Sequence, residues 1–221
     1  MINEDVSFYI KLAKTKQNFR RVKLVSKYTT GIVLFVIILE AIFFLLNNGE
    51  WDGMLPATIW PYFLFMGFNA FCYLYTKNKG AQVTQNNYKK IEWFIGLYVF
   101  SLASFGVIIS LADQSGYNYL MIYTLIMLVS CSFFVLNKIQ ILIPITIAGL
   151  VLVGGLYVLQ GNTEQFRSQL LYLMALFPVT YFLSRAFYFT FRHTVNIQAR
   201  LKSEVEMTKK LSEELREANK K

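Results

Sequence analysis

Residues 184–221 read SRAFYFTFRHTVNIQARLKSEVEMTKKLSEELREANKK. An aromatic, apolar run passes into a strongly charged one, and neither Pro nor Gly separates them. Nothing in the stretch therefore stops a helix. Two pairs at i,i+4 spacing, Glu206 with Lys210 and Glu217 with Lys221, favour helix in the charged half. The preceding residues are apolar enough to cross a bilayer. One helix over 170–221 is expected, about 50 residues and roughly 75 Å long, beginning in hydrocarbon and ending in water.

Working outward, the rest of the chain fits that reading. Of 221 residues, 55% are hydrophobic and 16% charged, against about 25% charged in an ordinary soluble domain. The charges crowd the first 27 residues, one internal loop and the last 30. Between them lie six apolar runs of about 19 to 22 residues, the length that crosses roughly 30 Å of hydrocarbon. They cover 28–46, 54–75, 91–111, 117–136, 141–159 and 170–191. The expected fold is an all-α membrane protein with six transmembrane helices, the last continuing into a cytoplasmic coiled-coil signalling helix. Its parts are a basic segment 1–27, a transmembrane region 28–191 and a linker helix 192–221.

Lys and Arg set the expected orientation. Seven precede the first run, four lie between the second and third, Lys138 follows the fourth and eight follow the sixth, whereas the opposite connections hold only Arg167. Both termini are thus expected in the cytoplasm, with the chain in a bacterial inner membrane. The net charge of +9 flanks apolar runs instead of forming a continuous face, which argues against nucleic acid. Residues 1–27 lack a small-residue cleavage site after a short apolar core and do not read as a cleaved signal peptide. Two readings of them stay open: an amphipathic helix at the inner leaflet with Val6, Tyr9, Ile10 and Ala13 toward lipid, or a disordered basic leader. Cys72 and Cys131 lie inside apolar runs, where Cys behaves as a small hydrophobe.

Two charges draw attention at membrane depth, Glu40 in the first run and Arg185 in the sixth. A charge in hydrocarbon costs at least about 2.5 kcal/mol, so it faces protein or water, or snorkels to the interface as Arg185 can. A Glu40–Arg185 pair would have to close roughly 10 Å of depth, with Pro178 supplying a kink. The candidate residues for a small-molecule or lipid ligand are Glu40, Trp60, Asp113, Gln114, Tyr117, Asn118, Tyr181 and Arg185. Aromatics at this depth also serve as interfacial belts, and the Asp113/Gln114 cluster also serves to satisfy helix ends. Pro61, Pro144 and Pro178 fall inside runs and bend them, while Gly106, Gly149, Gly154 and Gly155 allow close helix approach.

Catalytic chemistry is not legible. There is no phosphate-cradling glycine loop, no metal-spaced cluster and no Ser-His-Asp set. The single histidine, His193, sits at a helix-membrane junction. The charged helix offers a weak parallel seam for a homodimer. Thr194, Leu201, Thr208 and Leu215 fill one heptad position, and Ile197, Glu204, Leu211 and Ala218 fill the position three later. A rival frame pairs Leu201, Thr208 and Leu215 with Val205 and Ser212. Two close-lying registers are what a switch requires. The rod is accordingly expected to be the stub of a longer signalling protein.

Three stretches resemble the amino-terminal membrane half of multispan bacterial diguanylate cyclases of the GGDEF type. They are SLADQSGYNY (110–119), SRAFYFTFR (184–192) and KKLSEELREANKK (209–221). The resemblance covers residues 91–221, although its charged helix is shared with many histidine kinases. It implies a membrane sensor that dimerises two cyclase domains and sets their juxtaposition. GTP and Mg would belong to the missing domain, which opens on a D-x-L-T-G-L-x-N-R type segment. The Gly-Gly-acidic loop is absent here, so no catalytic residue carries over and no cofactor is expected in this chain. The rivals are the same module on a histidine kinase, a small transporter or channel with midplane polar groups and discontinuous helices, and a passive anchor.

Overall fold

A computed structural model describes residues 2–46, 55–79, 83–112 and 119–219. They form six helices and no strand: α1 (Ile2–Leu46), α2 (Leu55–Asn78), α3 (Tyr88–Ala112), α4 (Tyr119–Phe133), α5 (Lys138–Gln160) and α6 (Glu164–Ala218). Each apolar run has its helix. Four of them, α1, α3, α5 and α6, contain segments long and apolar enough to cross a membrane, which in α1 is Phe8–Leu39. At 15 residues, α4 reaches only roughly 22 Å, short of a full crossing. In α2 the apolar residues are interspersed with Trp60, Tyr62, Tyr73 and Tyr75, which lower its mean hydropathy.

The buried helix is α3. It touches α1 and α2 on one side and α4 and α5 on the other, α1 lies along α2, and α6 covers α4 and α5 while also meeting α1. Tyr98, Tyr123, Phe134, Ile95, Leu152 and Leu173 are almost wholly buried at the centre. Phe65 and Phe105 stack at 3.7 Å between α2 and α3. The outward faces are apolar as well. Leu34, Phe35, Ile38, Trp93, Leu150, Val158 and Phe182 are all exposed, far more apolar surface than a water-soluble monomer presents. Apolar on both faces and long enough to span, these helices are those of a membrane protein.

Small residues set the tightest contacts. A Cβ on Gly149 would lie 2.2 Å from the Phe177 ring, and one on Gly155 would lie 2.7 Å from Leu111, so α5 meets α6 and α3 more closely than alanine permits. Gly106 is nearly as close to Tyr123, while Gly154, also expected at a contact, has open space beside it. Gly161 ends α5 at φ 64°, a conformation glycine adopts freely, and Thr163 caps α6 by accepting from the Phe166 amide at 3.2 Å. Pro61, Pro144 and Pro178 lie within helices that continue past them.

The first 27 residues are helical and continuous with the first apolar run, since α1 runs unbroken from Ile2 to Leu46; the Val6 side chain lies outside the described residues. Ile10, assigned above to lipid, is buried, while Tyr9 is exposed. Lys14, Thr15, Asn18, Phe19, Val22 and Ser26 are buried too. They form one stripe at helical spacing, and the stripe packs inward.

Candidate functional site at the basic end of the bundle

The inward stripe of α1 lies at the end of the bundle where α2 finishes, α3 begins and α4 gives way to α5. Phe8 meets Tyr88 edge-on at 5.5 Å, and Phe19 does the same with Tyr75 and Phe94 at 6.5 and 6.3 Å. Between α4 and α5, residues 134–137 leave the helix. Phe134, Val135 and Leu136 are nevertheless at most 2% exposed. A buried, non-helical backbone must find hydrogen-bond partners or forfeit about 1–3 kcal/mol for each polar group.

Side chains from α1 provide them. Asn18 Nδ2 donates to the Val135 carbonyl at 2.8 Å, and the Val135 amide donates to Asn18 Oδ1 at 2.9 Å. One carboxamide thus replaces both ladder bonds of one residue, because its nitrogen donates while its neighbouring oxygen accepts. Arg21 donates to the Phe133 carbonyl at the end of α4. At the start of α5, Gln140 accepts from the Asn137 amide at 3.0 Å and donates to the Glu92 carbonyl at 3.3 Å.

Charge completes the cluster. Lys14, whose side chain is 3% exposed, forms an ion pair with Glu92 of α3. The same Glu92 oxygen accepts from Asn137 Nδ2 at 2.8 Å. A buried pair of this kind is held by geometry and by extra hydrogen bonds, since desolvation offsets much of its attraction. Through Lys14, Glu92 and Asn137, α1, α3 and α5 share one polar network. The sequence reading missed it. Glu92 falls on the second residue of the expected third span yet was passed over among the intramembrane charges, and Asn18 sits in a segment read only for its positive charge. The signal was available: Lys14, Asn18 and Arg21 recur at spacings of four and three.

Of the eight sequence candidates, only Trp60, Tyr181 and Arg185 have side chains among the described residues. Asp113, Gln114, Tyr117 and Asn118 lie outside the described residues, as does the side chain of Glu40. Trp60 on α2 is 71% exposed, with its ring 6.5 Å from that of Phe63. Tyr181 and Arg185 share α6 and face α5. The Arg185 guanidinium lies over Tyr188 and Phe189, at 4.6 and 5.0 Å from their ring centroids. It lines a depression with Asn137 and Lys138, so it reaches toward the basic end. Glu40 lies 22 residues past Asn18 along α1, about 33 Å of helix. Because the Glu40 side chain is outside the described residues, the Glu40–Arg185 pair considered above lies outside them too.

Deeper in the bundle, Tyr98 donates to Asn69 Oδ1 at 2.9 Å, and Asn69 Nδ2 donates to the Phe65 carbonyl at 2.8 Å. Both side chains are fully buried, and their bonds tie α2 to α3. No group of three or more His, Cys, Asp or Glu capable of holding a metal occurs among the described residues. The sixth helix continues past this region as one element of 55 residues. Val195 is its last buried residue, and every described residue from Leu201 to Asn219 is exposed. Ile197, Leu201, Val205, Leu211 and Leu215 are 44–66% exposed, while the Thr208 hydroxyl bonds back to the Glu204 carbonyl at 2.8 Å. Glu206 pairs with Lys202 at 3.9 Å, a solvent-exposed contact worth little.

Comparison with protein-family models, with curated proteins and with solved structures finds no match to this chain.

Proposed function

We propose that this chain is the membrane-embedded input and dimerisation module of a signalling protein, relaying a change in the bundle through α6 to a cytosolic coiled coil. The carrying observation is the single 55-residue α6, which shares the bundle's packing over its first part and stands clear of it from Leu201 onward. A helix propagates a shift or rotation along its length because its backbone bonds are internal. Moving such a lever between two registers needs only a few kcal/mol of differential binding. The six helices would all be membrane spans, with the short α4 completed by its buried 134–137 extension. Both termini would face the cytoplasm of a bacterial inner membrane. The exposed apolar positions Ile197, Leu201, Val205, Leu211 and Leu215 are the surface two copies would share. The resemblance to GGDEF proteins makes a diguanylate cyclase the effector of choice, and a histidine kinase the alternative on the same lever. A transporter reading finds less support, since the midplane polar pair Asn69–Tyr98 is buried and mutually bonded.

Cysteine scanning in membranes tests the relay's dimer. The native Cys72 and Cys131 are buried and should stay silent. Single cysteines at Leu201, Val205, Leu211 and Leu215 should cross-link two chains, with yields rising and falling at heptad spacing, and a cysteine at Glu213 should not. Uniformly low yield along 197–215 would sink the dimeric lever.

A further inference from the structure

The α5–α6 seam carries two adjoining depressions of opposite character. One, of about 530 Å³, is apolar and is lined by Thr146, Gly149 and Leu150 of α5 and by Met174, Phe177 and Tyr181 of α6, among others. The other, of about 400 Å³, is lined by Asn137, Lys138, Arg185, Tyr188, Phe189 and Arg192. They follow each other directly. Leu142 of the first is four residues from Lys138 of the second, and Tyr181 is four residues from Arg185, one helical turn in each case.

Their chemistry is complementary to one kind of molecule. The polar depression gathers three cations and no carboxylate. Among the described residues none of the three has an ion-pair partner. Arg185 is held in place by the Tyr188 and Phe189 rings, which attract a cation without neutralising it. Clustered cations without counter-charge at the edge of an apolar bundle draw anionic headgroups, and basic pockets between spanning helices are where such headgroups sit. On α5 the apolar depression runs from Leu142 to Val153, about 16 Å of helix and so about half of a 30 Å hydrocarbon core, one leaflet deep. It is open to the outside, since Leu150 and Met174 are 68% and 61% exposed. Gly149 deepens it, because no side chain stands there and the Phe177 ring fills the floor.

We propose that this seam is a binding site for an anionic phospholipid of the leaflet at the basic end. Its phosphate sits among Lys138, Arg185 and Arg192, and one acyl chain lies along the groove beside Gly149. The site does not depend on the relay, since a module with no effector attached would carry it equally. It lies where α6 leaves the bundle, and there an occupant would press on α6 and on the start of α5 together.

The test is native mass spectrometry of the full chain released from mixed micelles. These contain phosphatidylglycerol and phosphatidylcholine with identical acyl chains, at equal mole fraction. Phosphatidylglycerol should be retained at least about tenfold over phosphatidylcholine, and retention should fall about fivefold for each charge removed in Lys138→Gln, Arg185→Gln and Arg192→Gln. Thr146→Trp, placed in the groove from an exposed position, should reduce retention with all three cations intact. The Lys138→Gln/Arg192→Gln pair alters only exposed side chains, so it keeps the test valid if Arg185→Gln fails to fold. Equal retention of the two lipids overturns the proposal. So does selectivity that survives the paired variant. Inorganic phosphate that displaces phosphatidylglycerol at millimolar concentration, while Thr146→Trp is without effect, would show a free-anion pocket instead. A dimer abolished by Thr146→Trp but indifferent to the charge variants would show that a second copy occupies the seam.

Discussion

At the basic end of the bundle, α4 and α6 meet the same boundary and behave oppositely. The first stops at Phe133 and passes into three buried non-helical residues, whereas the second continues through and out for the rest of a 55-residue helix. Neither outcome is dictated by local breakers, for SCSFFVLNKIQ (130–140) contains no Gly or Pro and α6 tolerates Pro178. The difference lies in who satisfies the backbone. The α4–α5 break exists because Asn18, Arg21 and Gln140 take up its free amides and carbonyls. The exit of α6 needs no outside partner, since its bonds are internal. A fixed corner and a projecting helix thus stand side by side, one made by tertiary contacts and the other by helix continuity.

The contrast can be broken on the α4 side first. Glu92→Ala removes the counter-charge of buried Lys14 and the acceptor of Asn137 together. It should cost about 3–5 kcal/mol, the range for an orphaned buried charge, measured as reversible unfolding in micelles. Adding Lys14→Met to it should recover much of the loss, and no recovery would mean that Glu92 acts otherwise than as the partner of Lys14. Asn18→Ala strands the Val135 amide and carbonyl and should cost about 2–6 kcal/mol, taking each of the two groups at the usual desolvation penalty of about 1–3 kcal/mol. If it is silent, the corner stands without its clamp and the account of the α4 break fails.

The α6 side should respond differently. Lys209→Pro breaks a helix interior at a local cost of about 3 kcal/mol, yet the residues around it are all exposed. Helix signal in circular dichroism should drop, while the unfolding free energy of the bundle changes by less than about 0.5 kcal/mol. A large loss of bundle stability would mean the rod is held by contacts that a single chain does not display. The smallest effect belongs to Ser130→Ala in the last turn of α4. Its hydroxyl is buried with no partner among the described residues, so removal should be neutral or slightly stabilising.

Much of the fold was legible. Six apolar runs mark six helices, and the missing punctuation around Arg192 marks the continuous α6. The ends of α4 and α1 were not legible, for a common reason. Phe134, Val135 and Leu136 are apolar because they are buried, and a buried loop reads as more helix. The α1 stripe of Lys14, Asn18 and Arg21 reads as interfacial charge because its partners lie on α3 and at the α4–α5 corner, and no local pattern announces them. Of the ligand candidates among the described residues, Arg185 and Tyr181 line one seam, and their companions Lys138 and Arg192 enter the sequence reading through topology alone. Charge counting gives a side of the membrane but not which cations gather at one point.

The clamp also fixes when folding can finish. Asn18 and Val135 lie 117 residues apart in sequence, so at about 5–20 residues per second of synthesis the asparagine waits roughly 6–23 s for its partner. Over that interval Asn18 has no corner to clamp, and Lys14 waits for Glu92, 78 residues further along the chain. A nascent chain halted before residue 138 keeps this surface open to quality-control proteases. Assembly is therefore sealed late, by the second half of the protein closing upon the first.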